Sequence, residues 1–308
     1  MATATRDAFA DALVRLGSDE RIVVLTGDLR DSTRTEKFLE KHPDRFFDVG
    51  IAESNMIGIA SGLALSGKIP WACSFSAFVT GRYDTVRVSV AYQEANVRIV
   101  GTHAGIGVGE DGYSQMSLED VACIRALPNI AIVNPCDAVS TERAVEYLVE
   151  HEGPAFLRLT RQKVDDVYGD DFRFELGKAV TVREGSDVAI LATGATVQEA
   201  LKAADALGDL SVRVVDVHTI KPLDEEAVRR AATECRAVVT VEDHSVHGGL
   251  GGAAAEVLAA GDGNLASLRM IGMTTFGESG GTDELYDKYG LSGARIAETV
   301  RAAIANTG

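Results

Sequence analysis

The chain has 308 residues, of which 46% are hydrophobic and 25% are charged, so it has the composition of a globular protein long enough for two domains. Its formal net charge of −16 argues against nucleic-acid and membrane partners, because both carry negative charge. No uncharged apolar stretch reaches the roughly 18 residues of a spanning helix, and the amphipathic start does not resemble an export signal. The four cysteines lack paired spacing, which predicts reduced thiols, a cytoplasmic location and no zinc site.

Short apolar runs alternate with amphipathic stretches along the first half of the chain. We predict strands at residues 22–25, 97–100, 130–133 and 155–159, and helices at residues 7–16, 54–65 and 138–150. The predicted strands are continuously apolar rather than alternating. They therefore indicate an α/β fold with a mostly parallel sheet that is covered on both faces.

A polar, acidic segment divides the chain. We predict a first domain at residues 1–164, a linker at 165–183 and a second, smaller α/β domain at 184–308. The second domain has predicted strands at residues 188–191, 212–217 and 237–241, and predicted helices at 196–207, 225–233 and 251–260.

Glu53 is a lone carboxylate at the start of the small-residue helix predicted at 54–65. If it is partly buried there, its charged form is disfavoured, which suits a proton donor or a hydrogen bond to a ligand nitrogen. The alternative is that Glu53 interacts with the helix N-terminus as a cap. Spacing alone slightly favours the cap.

Residues 101–115, here called the glycine loop, place five glycines among His, Glu, Asp and Gln side chains. This composition predicts a loop that lets a ligand approach the backbone. Its G-x-G-x-x-G spacing lies too far from the preceding strand for a nicotinamide site. Residues 248–252 are interpreted as close helix packing rather than an anion site, and 261–263 as a surface turn rather than a magnesium site.

Several motifs in one order resemble the transketolase family. They comprise residues 42–46 leading into 51–53, residues 73–78 with 82–84, and residues 109–112 with 114–116. The resemblance spans nearly the whole chain but only the C-terminal half of a full-length transketolase. The family's N-terminal half carries the motif that binds Mg²⁺ and the diphosphate of thiamine diphosphate, and that motif is not found here.

The resemblance therefore implies the C-terminal subunit of a split transketolase, with a pyrimidine-binding domain followed by a transketolase C-terminal domain. It implies an N-terminal partner subunit that holds the Mg²⁺ and the diphosphate, and a dimer of heterodimers. The implied reaction transfers a two-carbon ketol unit from a ketose phosphate to an aldose phosphate. We keep two alternatives, the β subunit of a 2-oxo acid dehydrogenase and a non-catalytic assembly or regulatory subunit. A deoxyxylulose phosphate synthase is a weaker one, because that activity usually resides on one long chain.

The resemblance also implies roles for individual residues. Glu53 matches the glutamate that hydrogen-bonds the aminopyrimidine of thiamine diphosphate, and it is implied to be catalytic together with His103. The other implied cofactor contacts are Phe75, Phe78, Gln115 and Asp28, and the implied substrate contacts are Arg6, Ser32, His103, Asp111 and Arg161. Without the resemblance, the two phenylalanines would be interpreted as core residues and the polar groups as solvated loop residues.

Overall fold

The computed structural model describes residues 2–261 and 266–305. Asp262 and Gly263, within the predicted surface turn at 261–263, lie outside these residues. The strands are β1 (Thr3–Ala4), β2 (Ile22–Thr26), β3 (Phe46–Asp48), β4 (Ile69–Phe75), β5 (Arg98–Thr102), β6 (Ala131–Val133), β7 (Ala155–Arg158), β8 (Lys163–Val164), β9 (Val180–Arg183), β10 (Val188–Ala192), β11 (Val212–Asp216), β12 (Thr219–Lys221), β13 (Ala237–Ser245) and β14 (Ser267–Met273).

Helices connect most of these strands. The α-helices are α1 (Thr5–Leu16), α2 (Arg30–Thr33), α3 (Glu36–Lys41), α4 (Glu53–Leu65), α5 (Ser76–Thr80), α6 (Tyr83–Thr85), α7 (Asp120–Arg125), α8 (Ala138–Glu150), α9 (Thr196–Ala206), α10 (Glu225–Glu234), α11 (Leu250–Ala259), α12 (Thr282–Lys288) and α13 (Gly293–Ala305). A π-helix spans Val86–Ala91, and 3₁₀ helices span Pro43–Arg45 and Ile106–Asp111. Among the described residues, no helix combines the length and apolarity needed to cross a bilayer.

Two sheets organise the fold. The first has the order β12-β6-β7-β5-β4-β2-β3 and is parallel apart from β12 at its edge. The second has the order β14-β13-β10-β11-β9 and is parallel apart from β9. The predicted α/β fold with two mostly parallel sheets is confirmed.

Each sheet is buried on both faces by helices, as continuously apolar strands predict. In the first sheet, one apolar cluster includes Phe9 and Leu148 from α1 and α8, and the other includes Ile57 and Ile124 from α4 and α7. In the second sheet, α9 and α13 contribute to one cluster, and α10 and α11 contribute to the other. The start of α8 shows the local cause of a helix boundary, because Asp137 and Ser140 form a reciprocal capping box.

The glycines at 248–252 pack closely, as the sequence interpretation holds. Added Cβ atoms on Gly249 and Gly251 would lie 1.9 Å from Glu242 Oε2 and 2.8 Å from Met270 Sδ, respectively. The buried Glu242 carboxylate accepts hydrogen bonds from the backbone N–H groups of Leu250 and Gly251. An internal side chain therefore occupies the helix start that an anion would need.

The domain boundaries stay a prediction. Two segments pair with sheets in a way that a simple polar linker between two domains does not predict. Val180–Arg183, inside the predicted linker, forms β9 at the edge of the second sheet. Thr219–Lys221, inside the predicted second domain, forms β12 and pairs with the first sheet. In addition, the Tyr168 hydroxyl donates to the buried Asp216 carboxylate at 2.7 Å.

Candidate active site

Several of the predicted site residues lie at the carboxyl edge of the first sheet. Phe75 ends β4, His103 follows β5 and Asp28 follows β2 by two residues. Parallel strands place all their carboxyl ends on one side, where ligands of open α/β sheets usually bind. The location of this edge follows from the sheet order β5-β4-β2.

Glu53 begins α4 and is only 4% exposed. Among the described residues, the one hydrogen bond to its carboxylate comes from Ser74 Oγ, at 3.4 Å from Oε1. A Cβ on Gly27 would lie 3.5 Å from the same oxygen, so there is little space between Gly27 and the carboxylate. No side-chain cap bond is described at the start of α4. Glu53 nevertheless lies in the first turn of α4, where a carboxylate interacts favourably with the helix dipole, so its role as a ligand contact stays a prediction.

Three stacked rings form a wall at the same edge. The ring centroids of Phe75 and His103 are 3.7 Å apart with an interplanar angle of 26°, and those of Phe75 and Phe78 are 5.2 Å apart at 22°. Phe75 is buried, whereas Phe78 is half-buried. The two predicted phenylalanine rings are thus joined by the imidazole ring of His103, which stacks on Phe75. Offset ring contacts of this kind stabilise by about 1 kcal/mol beyond area burial.

His103 is buried in a left-handed conformation, with φ of 54°. Burial lowers the pKa of His103 to about 3, with further lowering by the nearby Arg6 and Arg161 charges. The imidazole is therefore neutral in any near-neutral assay. Arg6 Nη1 lies 3.0 Å from Nε2, so Nε2 accepts and Nδ1 carries the proton, 2.9 Å from Thr102 Oγ1.

Two predicted arginines line the site from different elements. The buried Arg6 also donates from Nη1 to the Ser32 carbonyl at 2.9 Å, while its Nε has no partner among the described residues. Arg161 donates from Nη1 to the Val108 carbonyl at 3.0 Å and to Asp111 Oδ2 at 2.8 Å. Burial, followed by the charges of neighbouring arginines, lowers the pKa of Arg6. An anion between these guanidinium groups would relieve that repulsion.

The two remaining predicted residues form hydrogen bonds with their own neighbours rather than with Glu53. Gln115 is half-buried and its Nε2 donates to Ser114 Oγ at 3.4 Å. Asp28 is exposed, and its backbone N–H donates to Asp48 Oδ1 at 3.0 Å. Within the part of the chain that the structure describes, no hydrogen bond joins either side chain to Glu53. Their cofactor roles stay predictions.

Sequence reasoning missed three residues of the site. Ser74 bonds Glu53, Thr102 bonds His103, and Arg34 adds a third cation whose charge lowers the pKa of both Arg6 and His103. Ser74 and Thr102 lie at strand ends beside predicted residues, which is a usable signal. Arg34 reaches the site through a left-handed turn after α2, with φ of 64°, and the sequence carries no signal for that placement.

The residues present suit one end of thiamine diphosphate. A sheltered carboxylate with unused acceptor capacity, next to aromatic rings, fits a flat nitrogen heterocycle. By contrast, no cluster of three or more His, Cys, Asp or Glu side chains able to hold a metal occurs in the described ranges.

Comparison with known proteins agrees with this arrangement. Residues 1–166 match the family model "Transketolase, pyrimidine binding domain" and residues 177–296 match "Transketolase, C-terminal domain". A 6-deoxy-6-sulfo-D-fructose transketolase subunit of Clostridium sp. (strain MSTE9) is 45% identical, with 97% of this chain and 92% of that protein covered. One of the subunits of an apulose-4-phosphate transketolase from Phocaeicola vulgatus is 39% identical, with 96% of each chain covered.

A solved structure has the same fold over nearly the full length. It is described as a split gene transketolase, inactive beta4 tetramer, and is 41% identical with a TM-score of 0.91, covering 98% of both chains. The two matched domains follow each other in one chain, as the resemblance implies. This chain belongs to the transketolase family, as a member that comprises the pyrimidine-binding and C-terminal domains.

Proposed function

We propose that this chain is the C-terminal subunit of a thiamine diphosphate-dependent split transketolase. With an N-terminal partner subunit, it transfers a two-carbon ketol unit from a ketose phosphate to an aldose phosphate. One observation carries the proposal: the buried Glu53 carboxylate lies at the same sheet edge as the Phe75, Phe78 and His103 rings. The cofactor and the substrate would meet at this edge.

When bound, thiamine diphosphate supplies a nucleophilic carbon and an electron sink. Glu53 would form a hydrogen bond between its carboxyl group and a nitrogen of the pyrimidine ring, and the burial of this group would keep water away from that contact. Phe75 and Phe78, whose own rings stack on each other, would orient the pyrimidine ring by aromatic contact. Mg²⁺ and the diphosphate are expected on the partner chain, because this chain matches only the pyrimidine-binding and C-terminal domains of the family.

Arg6 and Arg161 are proposed to bind the phosphate of the sugar, and Asp111, Ser32 and His103 its hydroxyl groups. His103 contributes no positive charge to this contact, since its pKa is lowered to about 3 by burial and by the nearby arginines. The names of the relatives include a phosphorylated and a sulfonated sugar. Both carry an anion, which guanidinium groups recognise. An acyl-transferring 2-oxo acid dehydrogenase would have no need for these arginines.

A partner subunit is supported by an apolar surface around α4. The surface comprises Ile51, Ile59, Leu65, Val88 and Tyr92, of which Ile51 and Tyr92 are 84% and 83% exposed. Ser61 in α4 donates to the Ser89 carbonyl of the π-helix, so the two elements lie side by side. Exposed apolar patches of this kind mark protein interfaces. The inactive β tetramer of a similar split transketolase also supports a need for a second chain.

The first test is reconstitution. Mixing this chain with its N-terminal partner, thiamine diphosphate and Mg²⁺ is expected to convert a ketose phosphate and an aldose phosphate to products shortened and lengthened by two carbons. Coupled product analysis checks this, and each chain alone serves as the control. Full turnover by this chain alone contradicts the proposed partner, and coenzyme binding by the complex without turnover of any ketose donor supports a non-catalytic subunit.

A Gly62→Leu substitution tests the α4 surface. A Cβ at Gly62 meets nothing within 4 Å, and leucine is a better helix former by roughly 0.5–1 kcal/mol, so the isolated chain should fold at least as stably. A leucine side chain would overpack a close interface at a cost of about 1–3 kcal/mol. We therefore expect association with the partner to weaken by at least about tenfold, measured by analytical ultracentrifugation.

The matched control is Gly252→Leu in α11, where an added Cβ also meets nothing within 4 Å. This substitution adds the same side chain to a helix of the second domain and should leave association unchanged. Equal weakening by both variants would count against the α4 surface as the contact.

A further inference from the structure

We propose that Asp243, with Tyr286, is a positioning residue that holds the glycine loop in the conformation used for substrate binding. This inference rests on the proposed function, because it assigns a task to the second domain within the same site. Asp243 lies in β13 of the second sheet, whereas the loop belongs to the first domain. The contact therefore joins the two halves of the chain at the site.

Both oxygens of the Asp243 carboxylate bind the loop. Oδ1 accepts the backbone N–H of Ile106 at 2.7 Å, and Oδ2 lies 3.4 Å from the N–H of Gly107. Oδ2 also accepts the Tyr286 hydroxyl at 2.8 Å. Asp243 is only 4% exposed, so these donors replace the water that an ionised carboxylate would otherwise bind. Loss of the carboxylate would leave buried N–H groups without partners.

The glycines of the loop permit this close approach. Gly105, Gly109 and Gly112 all have positive φ, at 82°, 80° and 76°. A Cβ on Gly105 would lie 2.1 Å from Asp243 Oδ2, and one on Gly112 would lie 2.5 Å from Ser279 Oγ. Both positions therefore combine a positive φ with a close approach to the second domain, and a larger residue at either one would be strained. This explains why a loop in the first domain needs glycine at these places.

The hydrogen bonds of Asp243 and Tyr286, here called the clamp, lie next to the proposed substrate contacts. Val108 follows the bound Gly107, and its carbonyl accepts Arg161 Nη1 at 3.0 Å. Asp111, at the end of the same 3₁₀ helix, pairs with Arg161 at 2.8 Å. On the other side, the Tyr286 hydroxyl accepts Gln162 Nε2 at 2.9 Å, next to Arg161 in sequence. Asp243 and Tyr286 thus fix both the loop and the neighbour of the arginine.

The test compares two variants with two matched controls. Asp243→Asn keeps the shape of the side chain but turns an amide NH₂ toward a donor, and Tyr286→Phe removes one hydroxyl. The controls are Asp216→Asn and Tyr168→Phe. The buried Asp216 also accepts a tyrosine hydroxyl, from Tyr168, but this pair does not touch the glycine loop. Amide hydrogen exchange is measured on the full chain, and steady-state kinetics on the complex with the partner.

We expect Asp243→Asn to speed exchange at Ile106 and Gly107 about tenfold and to raise KM for the ketose phosphate about tenfold, with kcat within about threefold of the native value. Tyr286→Phe should act in the same direction with a smaller effect. The controls should change neither quantity, even if they lower the melting temperature. Should Asp243→Asn not fold, Tyr286→Phe decides the question by itself.

Two outcomes overturn the inference. Unchanged exchange at Ile106 and Gly107 in both variants means that the clamp does not hold the loop, and equal KM effects in the two controls mean that only general stability matters. A native complex without transketolase activity instead refutes the proposed function. Because exchange is measured without turnover, the two failures can be told apart.

Discussion

A Glu53→Gln variant is expected to assemble with the partner subunit and to lose turnover by about 10²–10⁴-fold, the usual contribution of a positioned proton-transfer group. Glutamine has the same shape as glutamate, and the single described contact to the carboxylate is the long one from Ser74, so folding should be little affected. The amide cannot exchange a proton with a ring nitrogen. Steady-state turnover of the complex measures the loss, and size-exclusion chromatography measures assembly.

Ser74→Ala provides the control for this change. It removes the donor to Glu53 Oε1 but leaves the carboxylate in place, so its turnover should fall far less than that of Glu53→Gln. Full activity in an assembled Glu53→Gln complex would refute the catalytic role of this residue.

An Arg161→Gln variant is expected to reduce kcat/KM for a phosphorylated donor by about 10–100-fold, because a hydrogen bond between charged groups contributes about 1.5–3 kcal/mol. The substitution also leaves Asp111 without its partner, so a negative charge faces the phosphate. The informative measurement is a comparison of kcat/KM for a ketose phosphate and for the same ketose without phosphate. The loss should be much larger for the phosphorylated sugar.

Arg301→Gln is a suitable control, since Arg301 forms an exposed ion pair with Asp209 on the second domain. That variant should retain both activities. An equal loss for both sugars in Arg161→Gln would assign Arg161 to loop structure rather than to phosphate binding. Unchanged kcat/KM for both sugars in that variant would revive the 2-oxo acid dehydrogenase alternative.

Much of the fold could be predicted because the signals are local. The helix predicted at 138–150 is observed as Ala138–Glu150, since its Asp137 cap and its apolar face both lie within one short segment. In contrast, β4 carries no clear strand signal, because Pro70 interrupts it. The structure tolerates this proline because β4 pairs with β5 only from Trp71 onward. The edge strands β9 and β12 were missed because they are only four and three residues long and contain no continuous apolar run.

The candidate site likewise contains residues that the sequence predicts and residues that only the fold brings together. The family resemblance predicts Glu53, Phe75, Phe78 and the arginines as site residues, but it predicts neither Arg34 nor the contacts of Asp243 and Tyr286 with the glycine loop and Gln162. Asp243 is separated from Ile106 by 137 residues, so no local pattern could connect them. The neutral state of His103 is likewise a result of burial and of the neighbouring arginines.

The amino-acid sequence by itself determined the fold class, the family and most of the residue types available for chemistry, because periodicity and motifs depend only on near neighbours along the chain. Tertiary structure alone decided which of those groups are in contact, how deeply Glu53 is buried and which ring nitrogen of His103 carries the proton. Burial and charge proximity are properties of three-dimensional packing, and they set the chemistry of a side chain after the fold has brought distant segments together.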